Sequence, residues 1–173
     1  MKRGSLIIVI VLNIQNLIAQ DVSIQDLDFL IGTWQVREEN TEKTWWEKST
    51  RTARYIMDST YIELVSSAVQ SNGKKRNYRW YIHYNKKEER FEMVSMFSNW
   101  HKIQFDILKW DSKNRKLIIR NDIESHTTEY HERYGEIIFN ENFSEYIWLG
   151  ENKYGNKKEP SIWLYEEKGV RID

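Results

Sequence analysis

The sequence predicts an all-β fold: an antiparallel up-and-down barrel of about eight to ten strands, with one short N-terminal helix closing one end. Three observations carry this expectation. Beyond Gly32 the apolar residues recur at every second position, turn-forming residues punctuate the chain at intervals of about 8 to 15 residues, and no inter-strand segment has room for a crossover helix. A meander of that many twisted strands tends to close on itself, which removes its exposed edges.

The first element is read as an address. Lys2 and Arg3 precede an apolar run over 6–12 with Ile14, Asn13 interrupts that run, and Ala19 supplies a small residue for cleavage. This pattern suits a secretory signal peptide over 1–20, cut near Ala19 or Gln20, and the run is shorter than the ~20 apolar residues of a membrane span. A single domain over 21–173 in the periplasm or outside the cell is then expected. The next element is a short helix over 23–30, where Ile24, Leu27, Phe29 and Leu30 form the apolar set, Ser23 stands at the cap and Asp26 lies in the first turn. Gly32 ends it.

The strands follow in order at 33–38, 45–55, 60–69, 77–84, 90–97, 102–110, 116–122, 127–134, 136–139, 143–149 and 162–167. The clearest is the fourth, where Tyr78, Trp80, Ile82 and Tyr84 alternate with Asn77, Arg79, Tyr81 and His83. In the sixth, Ile103, Phe105 and Ile107 alternate with Lys102, Gln104 and Asp106. Ser71-Asn72-Gly73, 85–88 and 111–114 supply hairpin turns between such runs.

Composition narrows the function classes. The chain of 173 residues carries 26 basic and 26 acidic side chains, eight tryptophans, ten tyrosines, six phenylalanines and no cysteine. Zero formal charge and no basic stripe argue against nucleic acid as a partner. Without disulfides, a secreted domain has to rely on core burial, which the aromatic content supplies.

At the junction of helix and first strand the chain reads Asp28-Phe29-Leu30-Ile31-Gly32-Thr33-Trp34-Gln35-Val36. This stretch resembles the opening of calycin-type barrels, in which a short helix closes the barrel and a Gly-x-Trp turn leads into the first strand. More of the chain is similar to the DUF1579-type secreted bacterial proteins: 49–52 followed by 55–61 matches a strand, hairpin and second strand, and Tyr84-Asn85 with the turn into Phe91 matches a later hairpin. Gly32 and Trp34 are the specific part, while Asp58 and Ser59 stand where such hairpins commonly carry glycine. The resemblance implies a lipocalin-like fold with Arg171 stacked on Trp34 across the barrel base. It carries over no agreed activity and no catalytic residues.

Candidate chemistry is sparse. His83, His101, His126 and His131 raise the idea of a metal or haem, but His126 and His131 are five apart, which on one strand places them on opposite faces. Haem-binding barrels of the nitrobindin kind use a histidine near the C-terminal end, and the last forty residues here hold none. The adjacent acids Glu38-Glu39, Glu88-Glu89 and Glu166-Glu167 sit at turns or strand ends and read as solvated charge. No nucleophile elbow, phosphate loop or cysteine names a reaction.

What remains is the aromatic stripe. Trp46, Tyr78, Trp80, Phe91, Met93, Phe105 and Tyr146 are expected on the inner face, with Glu47, Arg51, Arg54 and His83 as polar pocket candidates. A mostly apolar cavity with a few converging polar groups is how small-molecule sites are built. The expected function is therefore a secreted or periplasmic, non-catalytic protein that holds a small apolar or amphipathic ligand, with no cofactor or metal. The alternatives are an interaction protein using Trp45, Trp100 and Trp110 on its surface to contact a protein or polysaccharide partner, and an enzyme, which requires Glu47, Arg51 or His83 to converge.

Overall fold

The computed structural model describes residues 22–121 and 130–173. Among them one 3-10 helix, Ile24–Leu30, is followed by ten strands: β1 (Gly32–Asn40), β2 (Trp46–Ile56), β3 (Tyr61–Gln70), β4 (Lys75–Asn85), β5 (Arg90–Phe97), β6 (Trp100–Asp111), β7 (Lys116–Asn121), β8 (Tyr130–Phe139), β9 (Glu145–Gly155) and β10 (Pro160–Arg171). Each strand pairs antiparallel with its sequence neighbours, and β1 closes the ring against β10, with Trp34 opposite Arg171 and Asn40 opposite Tyr165. The expected closed antiparallel barrel is the observed fold. The signal peptide expected over 1–20 lies outside the described residues, among which no helix is long and apolar enough to cross a membrane.

The helix buries Ile24, Leu27 and Leu30, a spacing of three that matches the 3-10 repeat. Leu27 has no exposed surface. The Asp26 carboxylate accepts the Ser23 backbone N–H at 3.0 Å and so satisfies one of the helix's first donors. Trp34 follows the turn at Gly32 and seals the barrel from within: its indole N–H donates to the Leu30 carbonyl at 3.0 Å, and the Arg171 guanidinium lies 4.7 Å from its ring. Arg171 also donates to the Phe29 carbonyl. The Phe29 ring packs 4.2 Å from Trp110 and 4.8 Å from Phe139. Gly32 adopts φ +131°, and a Cβ there would come within 2.7 Å of the Asp173 carboxylate that accepts the Thr33 N–H.

Two segments expected as separate strands are joined, and β9 and β10 run further than expected, to Gly155 and Arg171. Of the segments read as 127–134 and 136–139, the described residues 130–139 form a single strand, β8, which runs straight through Gly135. Gly135 is buried, and a Cβ on it would lie 2.5 Å from Trp148 Nε1. The glycine makes room for an indole instead of breaking the strand. Leu108, Leu117, Ile119, Ile137 and Phe139 fill the half of the interior nearest the helix. The other half is not filled.

Candidate functional site

The open half of the barrel holds a cavity of about 270 Å³. Its walls come from alternate residues of the strands, so each inward row can be read by parity. On β2 the buried residues are Glu47, Ser49, Arg51 and Ala53, and on β4 they include Tyr78, Trp80 and Ile82. On β10 the inward set includes Trp163, Tyr165 and Glu167, and on β8 it includes His131 and Arg133.

Three arginines organise the polar part, Arg51 and Arg133 buried and Arg76 half-buried, each with an acid and a ring. Arg51 donates to both oxygens of Glu167 at 2.7 and 2.8 Å and to the Tyr146 hydroxyl at 2.8 Å, and its guanidinium lies 4.7 Å from the Trp80 ring. Arg133 reaches Asp106 at 2.8 Å and lies 5.3 Å from Trp148. Arg76 reaches Glu47 at 3.0 Å and lies 4.6 Å from Tyr78, whose hydroxyl donates to the same glutamate. Arginine suits this role because its planar fork pairs with carboxylates and stacks on aromatic faces simultaneously. Burial works against the charge on Arg51, yet Glu167 and Tyr146 hold it above the usual arginine range.

Glu38 completes the polar row. It stands opposite Glu47 across the β1–β2 ladder and opposite Glu167 across the β1–β10 ladder, so three carboxyl groups line up on neighbouring strands. Like charges placed directly opposite destabilise a sheet. Burial first, and then the charges of Glu167 and Glu47, push the Glu38 carboxyl up to about 8, with Arg76 and Arg51 opposing. Burial and Glu167 raise Glu47 to about 7 against the pull of Arg76. Carboxyls perturbed by burial and by named charges in a cavity are a recognised mark of candidate functional sites.

The mouth is aromatic. Trp45 and Trp163 meet edge to face at 5.1 Å, and Trp100, Tyr154 and Phe97 continue the rim. The cavity therefore has an indole-rich entrance, a charged but largely paired middle and a sealed apolar base.

The expected site residues separate into three groups. Tyr78, Trp80 and Arg51 line the cavity, with Glu47 beside them and Tyr146 at its boundary. Phe91 and Met93 point inward but are packed into the buried core. Trp46, Phe105, Arg54 and His83 do not share the inner face. Trp46 lies on the outer row of β2 beneath Arg37 and Lys48. Phe105 is 43% exposed because the inward row of β6 is Gln104, Asp106 and Leu108. Arg54 pairs with Glu63 outside the barrel, and His83 pairs there with Glu92 and rests on Tyr61.

Three further readings change. Glu38 and Glu167, read as solvated, point into the barrel, while their neighbours Glu39 and Glu166 face outward. Trp45 and Trp100, read as surface contacts, form the cavity rim, and Trp110 packs against the helix. His131 lines the cavity beside Gln104, whereas His126 and the His101 side chain fall outside the described residues. Among the described residues no group of three His, Cys, Asp or Glu is placed to hold a metal ion.

The fold recurs in solved structures. The S-type phycobiliprotein lyase CPES from Guillardia theta superposes with a TM-score of 0.59 at 11% identity, covering 88% of this chain and 94% of the lyase. Rv2717c from M. tuberculosis superposes with a TM-score of 0.63 at 10% identity, covering 87% of this chain and 97% of that one. No family model matches the chain, and no curated protein matches it.

Proposed function

We propose that the protein is a non-catalytic binding protein that holds a small amphipathic molecule in the open half of its barrel. The observation that carries this reading is the cavity of about 270 Å³, with tryptophan at its entrance and paired charges at its floor, in a barrel whose other end is plugged. Small-molecule sites combine apolar walls with a few placed polar groups, and this volume lies just below the lower end of their usual range of about 300–1,000 Å³. A compact ligand follows, with its flat or apolar part against Trp45, Trp163 and Tyr154 and its polar end toward Arg76, Glu38 and Arg51. The inner surface is more polar than a carrier of wholly apolar molecules requires.

Lys2, Arg3, the apolar run over 6–12 and Ala19 support placing this activity in the periplasm or outside the cell, after removal of residues 1–20. The Gly32-x-Trp34 start supports kinship with the DUF1579-type secreted proteins. Native mass spectrometry of protein purified from its own envelope fraction tests the binding reading. A retained small molecule, lost when Trp163 is replaced by alanine, is expected. A chain that leaves the envelope bare and shifts with no amphipathic probe overturns it.

A further inference from the structure

Among the described residues, the arginines inside the barrel each take one acid, and Glu38 is left over. Arg51 takes Glu167, Arg76 takes Glu47 and Arg133 takes Asp106, at 2.7, 3.0 and 2.8 Å. Glu38 lines the same cavity and makes no hydrogen bond or ion pair with any described residue. It is held there between two carboxylates, an arrangement that costs stability and that folding alone does not require. The group that would relieve it is a cation, and three matched pairs leave room in the charge balance for one positive charge.

The rim points the same way. Indole faces attract ammonium and guanidinium groups, and here they already do so within the chain: the Lys43 ammonium lies 5.2 Å from the Trp163 ring and the Arg76 guanidinium 5.5 Å from Trp45. A cation carrying an apolar body meets attractive surface at the entrance and an unmatched acid deeper in.

Resting on the carrier reading above, we propose that Glu38 anchors a singly protonated organic amine whose apolar or aromatic body lies against the indoles of the barrel mouth. In the empty protein near neutral pH Glu38 keeps its proton, because burial and the charges of Glu167 and Glu47 favour the neutral acid. The groups that face it are Glu47 and Arg51 from β2, Arg76 from β4, Arg133 from β8, Tyr146 from β9, and Glu167 and Tyr165 from β10. Arrival of the amine ionises Glu38, and its proton leaves for the solvent while the amine keeps its own.

The test uses three probes with one body: 2-naphthylmethylamine, 2-naphthylmethanol and 2-naphthoate, titrated calorimetrically into the full protein at pH 7 in two buffers of different ionisation heat. The amine is expected to bind at least tenfold tighter than the alcohol and to release close to one proton, with its affinity rising up to tenfold per unit from pH 6 to 7. Glu38→Gln, which keeps the shape of the neutral acid, removes both the preference and the proton release while leaving the alcohol's affinity in place. Glu39→Gln, on the outer face, changes neither. Equal binding of all three probes, preference for the carboxylate, or an amine preference that survives Glu38→Gln overturns the role of Glu38 and leaves the carrier reading standing. If none of the three binds, the carrier reading fails and this inference fails with it.

Discussion

Replacing Arg51 by methionine keeps the length of the side chain and removes its charge. The Glu167 carboxylate, 2% exposed, is then left with the Tyr146 hydroxyl, 2.7 Å away, as its hydrogen-bond partner. Removing one member of a buried ion pair costs about 3–5 kcal/mol, because the remaining charge loses its partner without regaining water. In a domain of this size about 1 kcal/mol moves Tm by roughly 2–4 °C, so Arg51→Met should lower it by about 6–20 °C. Replacing both members with apolar side chains is the control, since a buried pair exchanged for well-packed hydrophobic groups is often close to neutral. Arg51→Met/Glu167→Leu should therefore recover most of the loss, giving a coupling of at least about 4 kcal/mol in a double-mutant cycle with Glu167→Leu, read by urea denaturation and tryptophan fluorescence. The Arg51 stacking on Trp80 is absent from both Arg51 variants and cancels from the cycle. A single variant costing under about 1 kcal/mol, or a double variant as unstable as the sum of the singles, would refute the view that this pair is desolvated and mutually dependent.

The inner glycines of β9 and β10 hold space for rings: a Cβ on Gly150 would lie 2.0 Å from Tyr165, and one on Gly169 would lie 2.1 Å from Tyr146. Gly150→Ala and Gly169→Ala should each cost about 1–3 kcal/mol of overpacking, read by thermal melts, and an unchanged Tm would show that the rings do not need that space. Because Glu38 and Glu47 titrate near 8 and 7 in the folded protein against 4.5 in the open chain, the folded state holds more protons across that window. Their contribution to stability is present at mildly acidic pH and lost as pH rises toward 8. The outer carboxylates Glu63, Glu92 and Glu136 are held below 4.5 by arginine, tyrosine and lysine partners and lose their contribution in the acid direction. Melts from pH 4 to 9 should peak in mild acid, Glu38→Gln should flatten the alkaline fall, and a wild-type curve still rising from pH 6 to 8 would contradict the burial of these acids. Trp163→Ala should weaken binding of a naphthalene amine about five- to thirtyfold, the loss of one aromatic contact, while Trp46→Ala on the outer wall leaves it unchanged in fluorescence titration.

Most of the barrel was legible because two-residue alternation, turn chemistry and the Gly32-x-Trp34 start all report local structure, and local structure determines a meander. The site was legible only in part. Tyr78, Trp80, Glu47 and Arg51 lie on inward rows that parity identifies from the sequence. Glu38 was within reach by the same rule, two positions beyond Val36 and four beyond Trp34, both buried. What the sequence does not display is the closure of β1 against β10, which places Glu167 beside a residue 129 positions earlier and turns two apparently solvated acids into one inward-facing row.

The displaced residues share a physical cause. Inferring the inner face from the apolar residues assumes an apolar interior, and in the open half that assumption reverses. Along β6 the inward row begins with Gln104 and Asp106 and changes to Leu108 and Trp110 nearer the helix, while Ile103 and Phe105 face outward. The buried residues of β2 change from Glu47, Ser49 and Arg51 to Ala53, and those of β8 from Arg133 to Ile137 and Phe139. An inward row that turns from polar to apolar partway along a strand has to be a strand entering a cavity at one end and a packed core at the other, since burying the same arginines and acids in a solid core would cost more than their pairing returns. The repetition of that change on β2, β6 and β8 sets the depth of the cavity floor, and Arg51, Asp106 and Arg133 sit at that level with their partners.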